Sequence, residues 1–355
     1  LMAGVGFETV VATVAGDTLV GSAGTTDFIT KGADTVQAGS GAATVDASAS
    51  GGDLVQAGAG SLMFYGGSAA STVTAGAGTV TIFGNAGGGV FSGGSSGNNI
   101  IAGGSGAVTI TGGGSGDYLQ GSSGSDLLMA GVGFETVVAT VAGDTLVGSA
   151  GTTDFITKGA DTVQAGSGAV TVDASASGGD LVQAGAGSLM FYGGNAASTI
   201  FGGIGADTIY ANNSGGYFSG GSSGGNVLIG GTGDVTLLGG GAGDYLQAGT
   251  GNSSLVAGSG YEVLAVASTG NATLSGSLND NDVFSMLNEG GAQQFTIASF
   301  HVGDKLYMAN QAQVDYALSH QSVSGGDLNI NLQDGTQIKL LGYNTNVTNN
   351  DFGHP

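Results

Sequence analysis

The chain opens on AGVGFETVV (Ala3–Val11) followed by ATVAGDTLV (Ala12–Val20), and units of this kind, such as AGSGAATVD (Ala38–Asp46), follow one another twenty-eight times. The eighth position of every unit is apolar: Val10, Leu19, Ile29, Val36 and Val45 at the start, Ile156, Val163 and Val172 further on, and Leu255 in the last. A few units are seven or ten residues long, and the register recovers after each. Glycine and small polar residues fill the front of the unit, so a Gly-rich turn alternates with a very short strand. One apolar side chain per unit can be hidden only by stacking on the neighbouring units, which is the pattern of a solenoid.

A longer period lies over the short one. Residues 1–72 recur as residues 128–199 with only Ala43/Val170 and Ser68/Asn195 differing, residues 73–127 return more loosely as 200–254, and a third copy starts at Leu255 and fades near Gly276. The offset of 127 residues holds fourteen units. Two units per coil make this seven whole coils, so a copy can be added without exchanging the two faces. With about 4.8 Å per stacked coil, one copy spans roughly 34 Å. The predicted fold is all-β: a parallel β-roll or β-solenoid with two short strands per coil over residues 1–276, then a small C-terminal β domain over 277–355.

Composition narrows the class. There are 76 Gly but a single Pro, at the last position, which excludes a collagen helix, and the 41% apolar content separates the chain from a disordered Gly/Ser linker. Cysteine is absent, so disulfides play no part. No apolar run is long enough for a membrane-spanning helix, so no membrane insertion is expected. The start of the sequence shows no basic stretch leading into an apolar one, as an N-terminal secretory signal would. Nucleic acid is an unsuitable partner, because 26 acidic residues face only Lys31, Lys158, Lys305 and Lys339, with a formal net charge of −22. A field of that sign points to cations or to solubility.

The acidic residues have a preferred place, two positions ahead of the buried one. The first copy offers Glu8, Asp17, Asp27, Asp34, Asp53, Asp117 and Asp126; the second offers Glu135, Asp144, Asp154, Asp161, Asp180, Asp207 and Asp244. With two units per coil, Asp126, Asp144, Asp161 and Asp180 fall on one edge, and Asp117, Glu135 and Asp154 on the other. Asp207 stands alone. Carboxylates about 5 Å apart repel by roughly 1 kcal/mol in water and about 3 kcal/mol at an effective dielectric of 20. A cation between the coils would relieve this, and carbonyls of the Gly-rich turns would complete an all-oxygen cage suited to Ca²⁺. Elsewhere the same position holds Leu62, Ser71, Val80, Gly89, Asn99 and Val108, and no ion is expected there.

These units resemble the glycine- and aspartate-rich nonapeptide repeats of the RTX (repeats-in-toxin) proteins, which form a calcium-binding parallel β-roll. Gly202–Tyr210, GGIGADTIY, matches the pattern G-G-x-G-x-D-x-U-x throughout; Gly121–Met129, GSSGSDLLM, lacks one glycine; Ala130–Val138, AGVGFETVV, substitutes Ala and Glu. Many other units carry Ala for the first glycine, and about half lack the aspartate. Beyond residue 276, Asp282–Phe284, Phe295–Phe300, Gly303–Leu306, Gly326–Asp327, Leu332–Thr336 and Ile338–Leu340 form short alternating strands, and the sequence reaches Asp351 and Phe352 near its end. This stretch is similar to the C-terminal region of proteins exported by type I secretion, whose signal is C-terminal and uncleaved. It also suits a domain that caps an open solenoid end. The resemblance implies export of an unfolded chain and folding outside the bacterial cell, where calcium is abundant.

No catalytic constellation is legible. His301, His320 and His354 have no nucleophile at recognisable spacing and are read as exposed residues without a role. Gly-rich stretches such as GGGSGD lack the G-K-[ST] of a phosphate loop. The row Thr18, Thr35, Leu54, Thr72, Val90, Thr109 and Leu127 faces outward one residue ahead of the core position and reads either as ordinary β-formers on an exposed sheet or as a flat binding surface. The expectation is a non-enzymatic, calcium-stabilised structural or adhesive solenoid on a bacterial cell surface or in a biofilm matrix. Its expected partners are further copies, end to end or side by side, or a surface polysaccharide. Leu1 and Met2 read as the end of an incomplete unit, so a longer array or a stacked second chain is expected before them. The alternatives are the calcium-binding export tail of a larger secreted enzyme or toxin, and a surface-layer or ice-binding protein.

Overall fold

The computed structural model describes residues 1–49, 51–176, 178–213, 215–266, 269–286 and 292–354. They form two compact units, Leu1–Ala176 and Ser177–Pro355. Each is a parallel β-solenoid in which successive strands alternate between two sheets.

In the first unit Glu8–Val11 pairs with Thr26–Ile29, which pairs with Ala43–Asp46 and then Leu62–Tyr65. The other sheet runs Thr18–Val20, Thr35–Gln37, Leu54–Gln56 and Ser71–Thr74. Partners such as Ile101 and Leu119, or Leu128 and Leu146, lie two nonads apart in sequence, so two strands make one coil. Strand side chains alternate between faces, and the four-residue strand Leu62–Tyr65 buries Leu62 and Phe64 and exposes Met63 and Tyr65. The inward rows make the spine, with Phe64 and Phe91 in tilted contact at 6.2 Å between ring centroids. Each fully buried side chain of this size contributes roughly 1.5–3 kcal/mol.

Glycine is required where turns of successive coils touch. A Cβ at Gly58 would overlap the carbonyl oxygen of Gly39, and Gly39 itself has φ of 76°, a conformation L-side chains rarely adopt.

One part of the expected register is corrected. All the eighth-position residues are buried except Ile29 and Ile156; in those units Phe28 and Phe155 fill the core instead, at 1% and 0% exposure. The cause is one extra residue in the unit, which lets the larger ring take the inward place and turns the isoleucine to the half-buried flank. Asp27 and Asp154 turn outward with it, and Thr26 and Thr153 become the inward residues two positions ahead.

In the second unit the parallel winding does not stop at residue 276. Val263–Ala265 pairs with Val283–Met286 and that with Lys305–Met308; Ala272–Ser275 pairs with Gln294–Ala298. Phe284, Ile297 and Leu306 are fully buried and continue the spine. The cap begins later. Gln321–Ser324, Asp327–Asn331 and Gln337–Leu340 form an antiparallel meander whose last strand joins Gln294–Ala298 in parallel. The α-helix Gln311–Ser319 buries Val314 and Ala317, and its first turn is capped by Asn310, whose side chain accepts a bond from the Gln313 N–H at 3.0 Å. Phe352–Gly353 pairs with Lys305–Met308. Among the described residues, no helix is long and apolar enough to cross a membrane.

Candidate metal centre

Because strand residues alternate, the position two ahead of the core residue also faces inward. Asp34, Asp53, Asp117, Asp126, Glu135, Asp144, Asp161, Asp180, Asp207 and Asp244 are all buried, none exceeding 3% exposure. Glu8 and Asp17 are half-buried, as are the outward Asp27 and Asp154.

A buried carboxylate needs donors, and here backbone amides of the preceding coil supply them. In the first unit Asp34 Oδ1 accepts the Asp17 N–H at 2.8 Å, Asp53 Oδ1 accepts the Asp34 N–H at 2.9 Å, and the Asp53 N–H reaches Ser71 Oγ. The edge of Asp126, Asp144 and Asp161 is built likewise: Asp126 N–H to Asp144 Oδ1 and Asp144 N–H to Asp161 Oδ1, both at 2.9 Å. Asp180, expected fourth on this edge, lies in the second unit and donates its N–H to Ser198 Oγ. The second carboxylate oxygen usually gathers the turn of its own coil: Asp117 Oδ2 accepts from Gly113, Asp126 Oδ2 from Ser122, Asp207 Oδ2 from Gly203 and Asp244 Oδ2 from Gly240. Stacked carboxylates are therefore bridged by peptide N–H groups, a solution that the charge argument from sequence did not foresee.

On the opposite sheet of the second unit, Asp207 is not isolated. Its N–H donates to Asn226 Oδ1, and both Asn226 nitrogens donate to Asp244 Oδ1. The column continues through three residues absent from the sequence-based set: the Glu262 N–H donates to Asp282 Oδ1, and the Asp282 N–H to Asp304 Oδ1. The signal was present. Glu262 stands 127 residues after Glu135, while Asp282-Val-Phe284 and Asp304-Lys-Leu306 repeat the spacing of acid and core residue. His301 is likewise no bystander; its Nδ1 lies 2.9 Å from Asp304 Oδ2.

The glutamates behave differently. Glu135 and Glu262 are fully buried, yet among the described residues no N–H group and no Ser or Thr hydroxyl donates to the carboxyl oxygens of either. Burial, aided by the Asp117 charge, pushes Glu135 up to about 7. Burial first, then Asp282 and Asp244, pushes Glu262 up to about 8, and its contact with Asp282 is one that two acids make by sharing a proton. Burial also raises Asp144 to about 6, with the amide of Asp126 acting against it. Asp53, Asp161, Asp207 and Asp304 are raised for the same leading reason.

Apart from the His301 imidazole beside Asp304, the side chains of the described columns offer oxygen ligands, which fits a hard cation such as Ca²⁺ and not a soft metal. Among the described residues, no three of His, Cys, Asp and Glu converge as a ready-made metal site, so carbonyl oxygens would have to complete any shell. When bound, calcium supplies the positive charge that buried, donor-poor carboxylates lack.

A family model, the RTX calcium-binding nonapeptide repeat (4 copies), matches residues 65–88, 93–128, 191–214, 220–255 and 238–260. Asp117, Asp126, Asp207 and Asp244 lie in the matched segments; the sequence-based candidates from Glu8 to Asp53 and from Glu135 to Asp180 lie outside them. The match over 65–88, where Ser71 and Val80 hold the inward position, follows the turn and strand pattern without an acid there. None of the curated proteins compared with the chain matches it. The buried oxygen columns, the two-strand coils and the matched nonads agree: the chain carries RTX calcium-binding nonapeptide repeats, and its repeats wind into a parallel β-roll.

Proposed function

We propose that this β-roll is an extracellular structural or adhesive element, exported by a type I system, that presents a regular flat face to a surface polysaccharide or to further copies of itself. The observation that carries the reading is an outward row in the first unit. Thr18, Thr35, Leu54, Thr72, Val90, Thr109, Leu127, Thr145 and Thr162 stand directly beside one another in register on nine parallel strands. Leu54 and Val90 are each 50% exposed, so apolar contact area alternates with hydroxyl groups at strand spacing. RTX-repeat proteins are typically secreted by bacteria, and the family match indicates a calcium-binding repeat and no catalytic family.

Negative-stain microscopy and sedimentation of the purified chain in calcium, with and without soluble polysaccharide, test the proposal. Lateral assemblies or polysaccharide binding that Leu54→Lys and Val90→Lys abolish would support it. A chain that stays monomeric at high concentration and adsorbs to no polysaccharide would refute it. The reading as an export and folding tail of a larger enzyme draws support from the helix and meander that close the second unit; a non-repetitive catalytic domain in the full gene product would favour it.

A further inference from the structure

In the second unit the outer face of one sheet changes character. The strands Gly216–Ser219, Val235–Leu238, Ser253–Val256, Ala272–Ser275, Gln294–Ala298 and Gln337–Leu340 lie side by side in parallel. Tyr217, Thr236, Ser254, Thr273, Thr296 and Lys339 stand on them in register and face outward, about 4.8 Å apart at strand spacing. Two residues ahead runs a row of exposed amides, Asn252, Asn271, Gln294 and Gln337, roughly 7 Å from the first row. Backbone bonds hold this second row in place: Asn271 Oδ1 accepts the Gln294 N–H at 3.1 Å, and Asp234 Oδ1 accepts the Asn252 N–H at 2.8 Å. Two shallow grooves of about 290 and 200 Å³ meet over Gln294 and Thr296. The inward position that elsewhere carries an acid holds Val235, Ser253, Ala272, Phe295 and Ile338 here, so no inward carboxylate lies beneath these strands. The head of the rows is aromatic. Tyr217 and Phe201, with ring centroids 5.8 Å apart, stand where the first copy has Val90 and Thr74, and Asn252 stands where it has Ser125. Phe201 is 45% exposed.

We propose that this face of the second unit binds an uncharged, extended polysaccharide of the β-glucan kind, laid along the amide and hydroxyl rows with its leading sugar against Tyr217 and Phe201. An amide side chain offers a donor and an acceptor together, which matches neighbouring hydroxyls of a sugar ring, and an aromatic ring covers the apolar C–H face of a sugar. An extended β-linked chain repeats its rings at close to the strand spacing, so successive coils meet equivalent rings. Side chains fixed on a rigid sheet lose little freedom on binding. Charge selects among polymers. Apart from Asp234 and the Lys339–Asp327 ion pair at 2.8 Å, the rows are neutral, whereas a polyuronate would approach a chain of net charge −22 against repulsion. The proposal rests on the adhesive reading for its ligand class but uses a different surface from the first-unit row, so the two can fail separately.

The experiment is affinity electrophoresis of the full chain, in calcium, through gels holding a soluble mixed-linkage β-glucan, a polygalacturonate or no polymer. Phe201→Thr, Tyr217→Val and Asn252→Ser restore the residues that the first copy carries at the same places, and they are combined with Gln294→Ala on the exposed amide row. The parent is expected to be retarded by the glucan and not by the polygalacturonate. The combined variant should bind the glucan at least about tenfold more weakly, as the loss of central aromatic contacts does. Leu54→Lys with Val90→Lys, in the first unit, should leave that retardation unchanged. Retardation by polygalacturonate alone, or equal glucan binding by the parent and the combined variant, overturns the proposal. If glucan binding instead disappears with Leu54→Lys and Val90→Lys, the adhesive reading stands and only this placement falls; no retardation by either polymer overturns the placement and the polysaccharide reading together. Parent dimers that sediment without polymer and dissolve in the combined variant would make the face an interface between copies, and overturn it too. Should the combined variant not fold, hydroxyl-radical footprinting of the parent decides: glucan that shields Tyr217 and Phe201 while Tyr65 and Phe83 stay reactive supports the proposal, and glucan that leaves Tyr217 and Phe201 reactive refutes it.

Discussion

Asp126→Ala separates a hydrogen-bonding carboxylate from an ion-binding one. Asp126 Oδ1 accepts the Val108 N–H at 2.7 Å and the Ser122 hydroxyl at 2.9 Å, while Oδ2 accepts the Ser122 N–H. Truncation to alanine leaves two buried backbone donors without acceptors, at about 1–3 kcal/mol each, so a loss of about 2–6 kcal/mol is expected with no calcium present. Asp126→Asn can still offer one oxygen but turns an NH₂ toward the other amide, and should lose about half as much. Native-state hydrogen exchange in EDTA is the suitable assay, because repeat arrays need not unfold as one cooperative unit. Protection of the Val108 and Ser122 amides should fall about tenfold for every 1.4 kcal/mol lost. If both amides exchange as in the parent chain in EDTA and the variant is weakened only in calcium, the ladder reasoning is wrong and Asp126 is an ion ligand.

Two further outcomes follow from the same geometry. Without calcium, stability should fall as pH rises: Glu135 moves from its usual 4.5 to about 7 and Glu262 to about 8 on folding, chiefly through burial, so the contribution of their protonated forms is complete below 4.5 and is lost as pH passes through those folded values. Melting temperatures in EDTA between pH 4.5 and 8.5 check this, and Glu135→Gln with Glu262→Gln should flatten the slope; a parent chain that gains stability over that range contradicts it. Phe28→Ala should cost about 3–5 kcal/mol, whereas Ile29→Ala, on the half-buried flank, should cost far less. Equal losses in denaturant melts would restore the register in which Ile29 is the core residue.

The sequence displayed the coil plainly because its two signals agree. One apolar residue per nonad demands stacking, and fourteen nonads between near-identical copies suit two strands per turn, because they close seven whole coils. Three things were less legible. In the unit ending at Ile29 two adjacent apolar residues compete for one inward place, and spacing alone cannot choose the ring of Phe28 over Ile29; only the packing around each does. The inward direction of the acids was hidden because a carboxylate in a Gly-rich turn is ordinarily a surface residue, and the amide donors that satisfy it come from another coil. The winding past residue 276 was masked by the loss of glycine, although the pairs Asp282 with Phe284 and Asp304 with Leu306 still carry the nonad spacing of acid and core residue.

The number of acids does not set the number of ions, and this is where the charge argument from sequence and the geometry part most clearly. Coulomb repulsion of about 1–3 kcal/mol between stacked carboxylates calls for a positive partner, and the fourteen expected positions would then imply calcium throughout the acid-bearing coils. A peptide N–H carries a partial positive charge at hydrogen-bond distance, and bonds to a charged acceptor contribute about 1.5–3 kcal/mol each, enough to offset such repulsion without an ion. Asp34, Asp53, Asp126 and Asp144 each have this partner, and Asp27 and Asp154 face outward. Equilibrium dialysis at saturating calcium should therefore give clearly fewer ions than acids in the set. A stoichiometry approaching one ion for every acid would mean that the ladder amides surrender their carboxylates on loading, and that the amide bonds describe only the calcium-free state.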